Sequence, residues 1–543
     1  MAIGRVGVRP YGWSASTTTT TSGLDTDVQA FILAAVLTDT TQINAVNDLV
    51  VDLKAAGVWT KMKALYPMVG GTADSHKWNL KDPRNLNEAF RLVFYGGVTH
   101  NSSGVLGNGT NAWADTFLNM STEYSDPNNV HLSTYVNTDW LSASAPQQYH
   151  MAAQRTYTYS LLSSSSTNEM FSSGLHCQRT VTSTTHKGFY CGSITSNSMR
   201  RFISADNTFN SSTAVLSTQN LPNHTIGLMA NNQISVVTQY SSFGYSFFSA
   251  GLGLTIVEQQ VLSQIVEKYQ YALGRNVGTA KSFYYNKNYT NESNAFIYKA
   301  GITDSTQMSA VNTLVNSMKV AGIWSKMKAV YPLVGGTATA HQFNLVIPAK
   351  YYTTGDNEMF TLAFSGALTH DTKGILGVSG YATTYFTPNL DFVSYSEHVS
   401  VNTYSSFSQN TNGTTRANPH MGVTSWTGEK SLKLQSSSST QASATIGNTL
   451  VKNLGAGGHK GFWALSRTSS LTNGCSYLYN DGNFGKFTDN YTLGTGPIIL
   501  MGDKGVNSNM GYSFFSIGDG LTDTELTSMR GIVTTFNSTL SRE

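Results

Sequence analysis

The amino-acid sequence predicts a mainly β protein that consists of two tandem β-sandwich modules, each with helices at its start and at its end. A long internal repeat divides the chain into two similar halves. Within each half, short apolar stretches alternate with clusters of Gly, Asn, Ser and Asp. Amphipathic helix patterns stand at the borders of each half.

The repeat is nearly identical in one phrase and detectable over most of the chain. KMKALYPMVGGT at 61–72 returns as KMKAVYPLVGGT at 326–337, and GYSFFSAGLGLT at 244–255 returns as GYSFFSIGDGLT at 511–522. A unit of about 250 residues is far longer than the 20–50 residues of a solenoid repeat, so it indicates duplicated domains. We therefore divide the chain into an N-terminal extended arm or anchor, module 1, a linker and module 2, at residues 1–27, 28–276, 277–292 and 293–543.

Helix signals precede and follow the strand-rich part of each module. Asp39, with Gln42 three residues on, predicts a helix N-terminus, and Gly57 predicts its left-handed end. A short second helix is predicted over WTKMKALY, ending at Pro67, so that a helical hairpin opens the module. Thr255 and the acid three residues later form a capping box for a closing amphipathic helix. Module 2 repeats these signals at equivalent positions.

The long middle part of each module, after Thr72 in module 1, predicts a β-sandwich. Its apolar stretches are short, alternate with polar residues and are separated by turn-forming clusters. Cys177 and Cys191 would lie opposite each other if the residues between them formed a hairpin, which makes a disulfide geometrically conceivable. Module 2 has Ala464 in place of Cys191, which favours a small buried apolar residue at that position.

Composition excludes several partners. The chain has a net charge of +3 and only 12% charged residues, so we expect no nucleic-acid partner. It has no run of 18 apolar residues and no apolar core of a signal peptide, so we expect no membrane insertion and no export by the general route. We expect synthesis in a cytosol.

The sequence resembles modules found in structural proteins of tailed bacteriophages. The resemblance rests on TDTTQINAVNDLVVDLKAAGVWTKMKALYPMVGGT, on NGTNAWAD, and on the closing segment YSFFSIGDGLTDTELTSMRGIVTTFNSTLSR. It covers about residues 28–276 and 293–543. It implies tandem concanavalin-like, laminin-G-like jelly-roll modules in a virion protein, and such modules are often treated as carbohydrate-binding by analogy of fold. Module 2 has VSGYATT (378–384) where module 1 has NGTNAWAD (108–115), so no ligand role of Asp115 is shared.

Enzymatic activity is not expected from the sequence. A glycosidase needs two carboxylates at a defined separation, whereas acidic residues are sparse here and few recur between the modules. We expect no catalytic residues and no cofactor. A structural calcium ion in the loop DPNN (126–129) stays open, since its side chains supply oxygen ligands but also suit an ordinary turn.

The histidines recur between the modules without the spacing of a metal site. Ten of the twelve fall at matched positions, with no partner cysteine or paired carboxylate. We predict that they are structural and bond loop backbone, and that no metal is bound. The matched pairs are His76 and His341, His100 and His370, His131 and His398, His150 and His420, and His186 and His459.

Glycan contact, if present, is expected from aromatic residues at loop tips. Sugar faces stack on exposed rings, and the candidates are Trp113, Trp140 and Trp426, although a buried core position is the commoner place for tryptophan. Several copies per particle would convert weak single sites into strong attachment.

The functional prediction is a bacteriophage virion surface protein, a fibre, spike or capsid decoration, that projects lectin-like modules for attachment to host or environmental glycans. We expect the N-terminal arm to bind other virion proteins, the chain to form homo-oligomers, and assembly to take place in the host cytoplasm. The alternatives are a glycan-active hydrolase on a concanavalin-like fold, a purely structural decoration protein without a ligand, and a soluble lectin unconnected with virions. A recurring acidic pair facing a cleft would support the hydrolase.

Overall fold

The computed structural model of the protein describes residues 23–542 with gaps. The residues outside the description are 1–22, 139–147, 155–157, 164–167, 174–175, 181–185, 197–198, 204–208, 213–220, 278–284, 349–358, 378, 393–394, 406–417, 424–430, 439–440, 448, 452–459, 479–481, 483, 489–495, 504–505, 508–509 and 543. In several strands next to these gaps, only the backbone is described.

Three long helices belong to each module. They span Thr26–Ala35, Thr40–Ala55 and Ile256–Ala272 in module 1, and Asn291–Ala300, Ser305–Val320 and Asp523–Thr539 in module 2. Short helices cover Ala73–His76, Met120–Glu123, Ala338–His341 and Pro388–Asp391, and 3-10 turns cover Trp59–Lys61, Asn87–Ala89 and Trp324–Lys326. None of the helices in the described ranges is both long enough and apolar enough to cross a bilayer.

Module 1 contains two antiparallel sheets, which we call its inner sheet and its outer sheet. The strands of the inner sheet are, in spatial order, Phe209–Ser212, Met199–Ile203, Gly188–Ser196, Val130–Val136, Gly244–Gly251, Gly104–Leu106 and Thr99–Asn101, with Met62–Tyr66 also paired to Gly244–Gly251. The strands of the outer sheet are His176–Thr180, Asn168–Ser173, Thr158–Ser163, Gln148–Gln154, Thr225–Leu228, Trp113–Asn119 and Val93–Tyr95. Asn231–Gln233 and Val237–Thr238 extend it, the former running parallel to Gln148–Gln154.

Module 2 repeats this arrangement. Its inner sheet contains Leu368–Asp371, Gly374–Gly377, Gly511–Gly518, Glu397–Thr403, Gly461–Arg467, Cys475–Leu478 and Phe484–Phe487, with Met327–Tyr331 paired to Gly511–Gly518. Its outer sheet contains Ala363–Ser365, Tyr381–Thr383, Ile498–Leu500, Asn418–Val423, Ser431–Ser438, Gln441–Gly447 and Thr449–Val451, and Gly502–Asp503 pairs separately with Val506–Asn507. Among the described strands no sheet combines the two halves. The prediction of a mainly β protein is confirmed.

Each module has three layers, with the inner sheet between the helices and the outer sheet. Neighbouring residues of one strand show this, because successive side chains of a strand point to opposite faces. Phe247 packs among the helices and Phe248 packs against the outer sheet. In module 2, Phe514 and Phe515 divide in the same way. The inner sheet is therefore covered on both faces, and its central strands are buried along their whole length, polar residues included.

The predicted helix over WTKMKALY is wrong. Trp59–Lys61 forms a 3-10 turn and Met62–Tyr66 forms a strand paired with Gly244–Gly251. The strand places Leu65 in the helix-side core and Tyr66 between the sheets, so burial on both faces overrides the helical propensity of the segment. The helices that open the module are instead Thr26–Ala35 and Thr40–Ala55.

The hairpin that would join Cys177 to Cys191 is also wrong. The strand His176–Thr180 lies in the outer sheet, whereas Gly188–Ser196 lies in the inner sheet between Val130–Val136 and Met199–Ile203. Cys191 is a free, fully buried thiol whose pKa is raised by burial. The small buried apolar role predicted for Cys191 is confirmed.

The repeated phrase also holds the end of each module. Arg275 is buried and donates from Nη1 to the carbonyl oxygen of Met68 at 2.7 Å and from Nη2 to that of Pro67 at 3.3 Å. Arg542 makes the same contacts with the carbonyl oxygens of Leu333 and Pro332, at 2.9 and 3.1 Å. We call these contacts the arginine clamps. They hold the backbone after the strand in the same way in both copies.

Candidate functional site

Of the three tryptophans predicted to contact glycans, the structure places one. Trp113 is the first residue of Trp113–Asn119 and is partly exposed on the outer sheet. Trp140 and Trp426 lie outside the described residues. Trp113 is therefore the one predicted glycan contact whose surroundings the structure describes.

Trp113 is stacked on Tyr95 of the neighbouring edge strand. The two residues are direct partners across the strands, and their ring centroids lie 4.7 Å apart with planes inclined by 17°. Tyr95 is 42% exposed. The indole covers one face of the Tyr95 ring, so the exposure of Tyr95 comes from its other face and its edge. We call Tyr95 and Trp113 the aromatic platform.

A single asparagine organises the loop that leads into the platform. The Asn108 side-chain oxygen accepts hydrogen bonds from the backbone N–H groups of Thr110, Asn111 and Ala112 at 2.9–3.0 Å. Its amide nitrogen donates to the carbonyl of Gly96 and to Oδ1 of Asn111, both at 2.8 Å. The exposed polar residues 108–111 are therefore held in place beside the platform.

The close approach of this loop to the strand end requires glycine at position 96. Gly96 has a φ of +69°, and a Cβ at this position would lie 1.7 Å from the carbonyl oxygen of Asn111. Any larger residue would push the loop away from the end of the edge strand. The loop and the platform are therefore one rigid unit, which lowers the entropic cost of binding a ligand.

Asp115 lies next to the platform, on the same outward-facing side of the sheet. Its Oδ1 accepts a hydrogen bond from the N–H of Phe117 at 2.9 Å, which supports the left-handed φ of 55° at Phe117. The Arg91 guanidinium lies over the ring of Phe117, 5.8 Å from its centroid. Asp115 thus has a structural role in the turn, and it borders the platform as a polar neighbour.

The equivalent position in module 2 has no such platform. Ser365 stands opposite Tyr381 there, and Ala363 stands opposite Thr383, where module 1 pairs Val93 with Asp115. The outward-facing aromatic pair and the acid are both replaced. This agrees with the expectation that a ligand role of Asp115 is not shared between the modules.

Each module contains one pair of histidines in contact, His76 with His100 and His341 with His370. Nδ1 of His76 lies 3.0 Å from Nδ1 of His100, and His341 and His370 repeat this distance in module 2. Burial and the second imidazole lower the pKa of His76 and of His341 to about 3. Both rings of each pair are therefore neutral at pH 7 and share one hydrogen bond. Neither pair bonds loop backbone through these nitrogens, in contrast to the prediction.

His131 and His398, which occupy equivalent positions in the two modules, do bond loop backbone. His131 Nδ1 lies 2.6 Å from the carbonyl oxygen of Leu252, and His398 Nδ1 lies 2.8 Å from that of Asp519. Burial lowers the pKa of both histidines to about 4. A structural role agrees with this geometry. The side chains of His420 and His459 lie outside the described residues.

The described residues contain no group of three or more His, Cys, Asp or Glu side chains that could hold a metal ion. The DPNN loop has the hydrogen bonds of a turn. Asp126 Oδ1 accepts from the N–H of Asn128 at 2.8 Å, and Asn129 Oδ1 accepts from the N–H of Gly253 at 2.7 Å. Two of the oxygens proposed as calcium ligands are thus used within the protein.

Sequence reasoning found Trp113 but missed Tyr95. The missing information is the register of the edge strand, because only pairing places Tyr95 directly opposite Trp113. A signal was present in the repeat: Tyr95 and Trp113 both fall where the second copy has a different residue, Ser365 and Tyr381. A function that only one module has must depend on residues that differ between the two copies, as these two do.

No model of a known protein family matches the chain, and no curated protein matches it. Among solved structures it is similar to the Trypanosoma rangeli sialidase in complex with 2,3-difluorosialic acid, with 8% identity over 71% of this chain and 62% of that one and a TM-score of 0.32. It is also similar to domain 4 of AbnA, an extracellular arabinanase of Geobacillus stearothermophilus, in complex with arabinotriose, with 10% identity over 38% of this chain and 98% of that one and a TM-score of 0.22. A mutant of HCR/D matches with 8% identity over 86% of this chain and 98% of that one, at a TM-score of 0.28.

The prediction that the chain is not an enzyme is corrected by these matches, because sialidases, including a mutant with trans-sialidase activity, stand among them. A non-enzymatic assignment is therefore withdrawn. The chain spans only 62% of the length of these sialidases, at TM-scores of 0.32 and below, so neither their substrate nor their activity is assigned to it. The jelly-roll arrangement and the virion assignment stay predictions.

Proposed function

We propose that this chain is a surface protein of a tailed-bacteriophage virion, a fibre, spike or capsid decoration with tandem jelly-roll modules, and that module 1 attaches to glycans through the aromatic platform. The observation that carries the glycan proposal is the stacked, exposed pair of Tyr95 and Trp113 at the edge of the outer sheet. The virion part rests on the sequence resemblance to phage structural modules.

An exposed aromatic pair suits a sugar because of what each partner offers. The apolar C–H face of a pyranose stacks on an aromatic ring, and the ring gains contact area with little loss of side-chain freedom. Trp113 already packs on Tyr95, so the Tyr95 ring is immobilised before any ligand arrives. The free face of Tyr95 is then a preorganised surface for one sugar ring.

Polar groups for the sugar hydroxyls surround the platform. Asn111 and Thr110 are exposed on the ordered loop, and Asp115 lies one residue pair inward from the platform on the same face. Amide, hydroxyl and carboxylate groups are the usual partners of sugar hydroxyls, because they combine donors and acceptors. This surface is an open edge, which favours a terminal or internal sugar of a longer glycan over an enclosed small molecule.

A single platform in the part of the chain that the structure describes predicts weak binding by one copy. Attachment would then gain strength from many copies on one particle, because linked sites act at high effective concentration. This agrees with display on a virion surface. It also makes binding by the isolated chain measurable only at high ligand density.

The direct test is a glycan array probed with the purified full chain coupled to beads at high density. We expect binding to a restricted set of glycans, and we expect Tyr95→Ala and Trp113→Ala to weaken it about tenfold or more, since an aromatic contact of this kind contributes about 0.5–1.5 kcal/mol beyond the buried area. The matched control is Tyr385→Ala, which removes another exposed tyrosine (48%) in module 2.

The glycan role of the aromatic platform is contradicted if the full chain binds no glycan, or if all three variants bind equally. Analysis of the array for released sugar separates binding from cleavage. Immunogold labelling of purified virions tests the particle assignment independently, because label on a fibre, spike or capsid supports it and absence of label contradicts it.

A further inference from the structure

Module 2 packs on the helices of module 1. Gln264 Nε2 donates to the carbonyl of Asn294 at 3.2 Å, and Gln260 Nε2 donates to the carbonyl of Pro348 at 2.5 Å. From the other side, Asn291 Nδ2 donates to the carbonyl of Ala56 at 2.9 Å. These contacts join the helix pair Thr40–Ala55 and Ile256–Ala272 of module 1 to the first helix and a loop of module 2. Both modules are thus held together by an interface along one helix pair.

This interface buries the closing helix of module 1 on nearly all sides. Eleven residues of Ile256–Ala272 are buried, including Gln260 and Gln264, whose side chains bond to module 2. Met359 and Ile347 of module 2 pack into the helix-side core of module 1. The contact therefore has an apolar core and specific hydrogen bonds, which are the marks of a stable interface.

The equivalent helix pair of module 2, Ser305–Val320 and Asp523–Thr539, leaves an open groove. The groove has a volume of about 620 Å³ and its lining contains no charged residue. Val320 at its edge is 90% exposed, and only five residues of Asp523–Thr539 are buried. Thr527 and Gly531 occupy the positions that Gln260 and Gln264 have in module 1. In the described part of the chain nothing covers this groove as module 2 covers its counterpart.

The opposite end of the chain carries the complementary surface. Thr26–Ala35 is the counterpart of Asn291–Ala300, the helix by which module 2 contacts module 1. On this helix Leu33 is 70% exposed, and Val36, which follows it, is 78% exposed. In module 2 the position of Leu33 is held by Tyr298, which is partly buried. Module 1 thus exposes two apolar side chains to solvent on the helix whose counterpart in module 2 contacts module 1.

We propose that the open groove of module 2 binds the Thr26–Ala35 surface of a second copy of this chain, so that copies associate head to tail. The contact between the two modules within one chain serves as the template for the contact between copies. Gln264 contacts Asn294 within the chain, so Gly531 of one copy would contact Gln29 of the next. Gln260 contacts Pro348, so Thr527 would contact Pro83.

The geometry determines the type of assembly. The two surfaces differ, so the interface is heterologous, and a heterologous contact closes into a ring or continues as a filament. An uncharged groove lined by small residues allows close approach of a helix without desolvating charges. This inference does not depend on the glycan proposal, because none of its residues belongs to the aromatic platform.

The test uses sedimentation velocity of the full chain over a hundredfold range of concentration. We expect wild-type protein to form species larger than a dimer as the concentration rises. Gly531→Arg fills the groove, and a side chain is tolerated there because a Cβ meets nothing within 4 Å. Leu33→Glu places a charge on the other surface. Each variant should remain monomeric, whereas the control Leu390→Glu, at a residue that is 76% exposed elsewhere, should assemble like wild type.

Mixing the two blocked variants gives the decisive result. Each retains one intact surface, so an equimolar mixture should form a dimer of one copy of each and nothing larger. The proposal is overturned by a wild-type chain that stays monomeric, by assembly that both substitutions leave unchanged, or by a mixture that stays monomeric. Circular dichroism of each variant establishes that it is folded before these results are compared.

Discussion

Glu397 and Arg467 stand directly opposite each other in the inner sheet of module 2, and both side chains are only 1% exposed. They form a buried ion pair. At the same place in module 1, Val130 stands opposite Ile194, and both are buried. The two modules thus fill one position of the same sheet with two kinds of chemistry, one apolar and one ionic.

This pair predicts a strong asymmetry between single and double substitution. Glu397→Val alone leaves the Arg467 guanidinium buried without its counter-charge and should lower the free energy of unfolding of module 2 by about 3–5 kcal/mol. Glu397→Val with Arg467→Ile restores the pair of module 1 and should be neutral or stabilising by about 1–4 kcal/mol. Urea unfolding measures both. A double variant as unstable as the single one would contradict the prediction.

The buried histidines predict a loss of stability in mild acid. Their pKa values in the folded protein are depressed by burial, to about 3 for His76, His150 and His341 and to about 4 for His131 and His398. The unfolded chain, with histidine pKa values near 6.5, therefore binds more protons than the folded chain below that pH. Stability should be complete above about pH 6.5 and should fall as the pH decreases toward 4.

The size of this effect can be measured per histidine. Each buried histidine should contribute a slope of about 1.4 kcal/mol per pH unit to the unfolding free energy in the lower part of that window. His76→Gln should reduce the pH dependence of the unfolding free energy of module 1 by the contribution of one histidine, and His341→Gln should do the same in module 2. Unfolding midpoints recorded between pH 7 and pH 4.5 test it, and an unchanged slope in both variants would refute it.

The arginine clamps predict equal sensitivity at the ends of the two modules. Arg542→Leu removes the donors to two buried carbonyl oxygens, on Leu333 and Pro332, and each unsatisfied group costs about 1–3 kcal/mol. We expect a loss of about 2–6 kcal/mol in the stability of module 2, and a similar loss in module 1 for Arg275→Leu. Denaturant unfolding followed by hydrogen exchange assigns each loss to its module. A surface-like loss below about 0.5 kcal/mol would contradict the clamp.

Asn108 is predicted to position the aromatic platform without binding the sugar. Asn108→Ala removes the acceptor for the backbone N–H groups of the loop, so the amides of residues 109–112 should exchange faster with solvent and glycan binding should weaken. Asn108→Asp keeps that acceptor and should retain slow exchange. Hydrogen exchange with mass spectrometry measures both variants. Unchanged exchange in Asn108→Ala would show that the loop is ordered by other contacts.

Local sequence signals predicted the helix ends well. The side chains of Asp39 and Thr255 accept the expected N-cap hydrogen bonds, and Gly57 has the left-handed φ of 70°. These features depend on residues within one turn of each other, so spacing alone determines them. The partner of Gln42 could not be predicted in this way, because its side chain accepts the N–H of Gly70, 28 residues later.

The features that failed depend on distant pairing. Met62–Tyr66 is a strand because Gly244–Gly251 lies beside it, and nothing near WTKMKALY in the sequence reports that. The same holds for the platform, since Tyr95 becomes a site residue only through its register with Trp113. The repeat predicted two similar halves. It did not predict that equivalent positions have different roles in the two modules, because those roles depend on which residues are paired in space.

The arginine clamps also determine when each module can be completed during synthesis. The carbonyl groups of Pro67 and Met68 leave the ribosome about 200 residues before Arg275, and those of Pro332 and Leu333 leave it about 210 residues before Arg542. A nascent module therefore keeps an open seam until its last turn of helix emerges. Module 1 can therefore close while module 2 is still being translated. A chain that terminates between Arg275 and Arg542 would carry a complete module 1 and a module 2 without its arginine clamp.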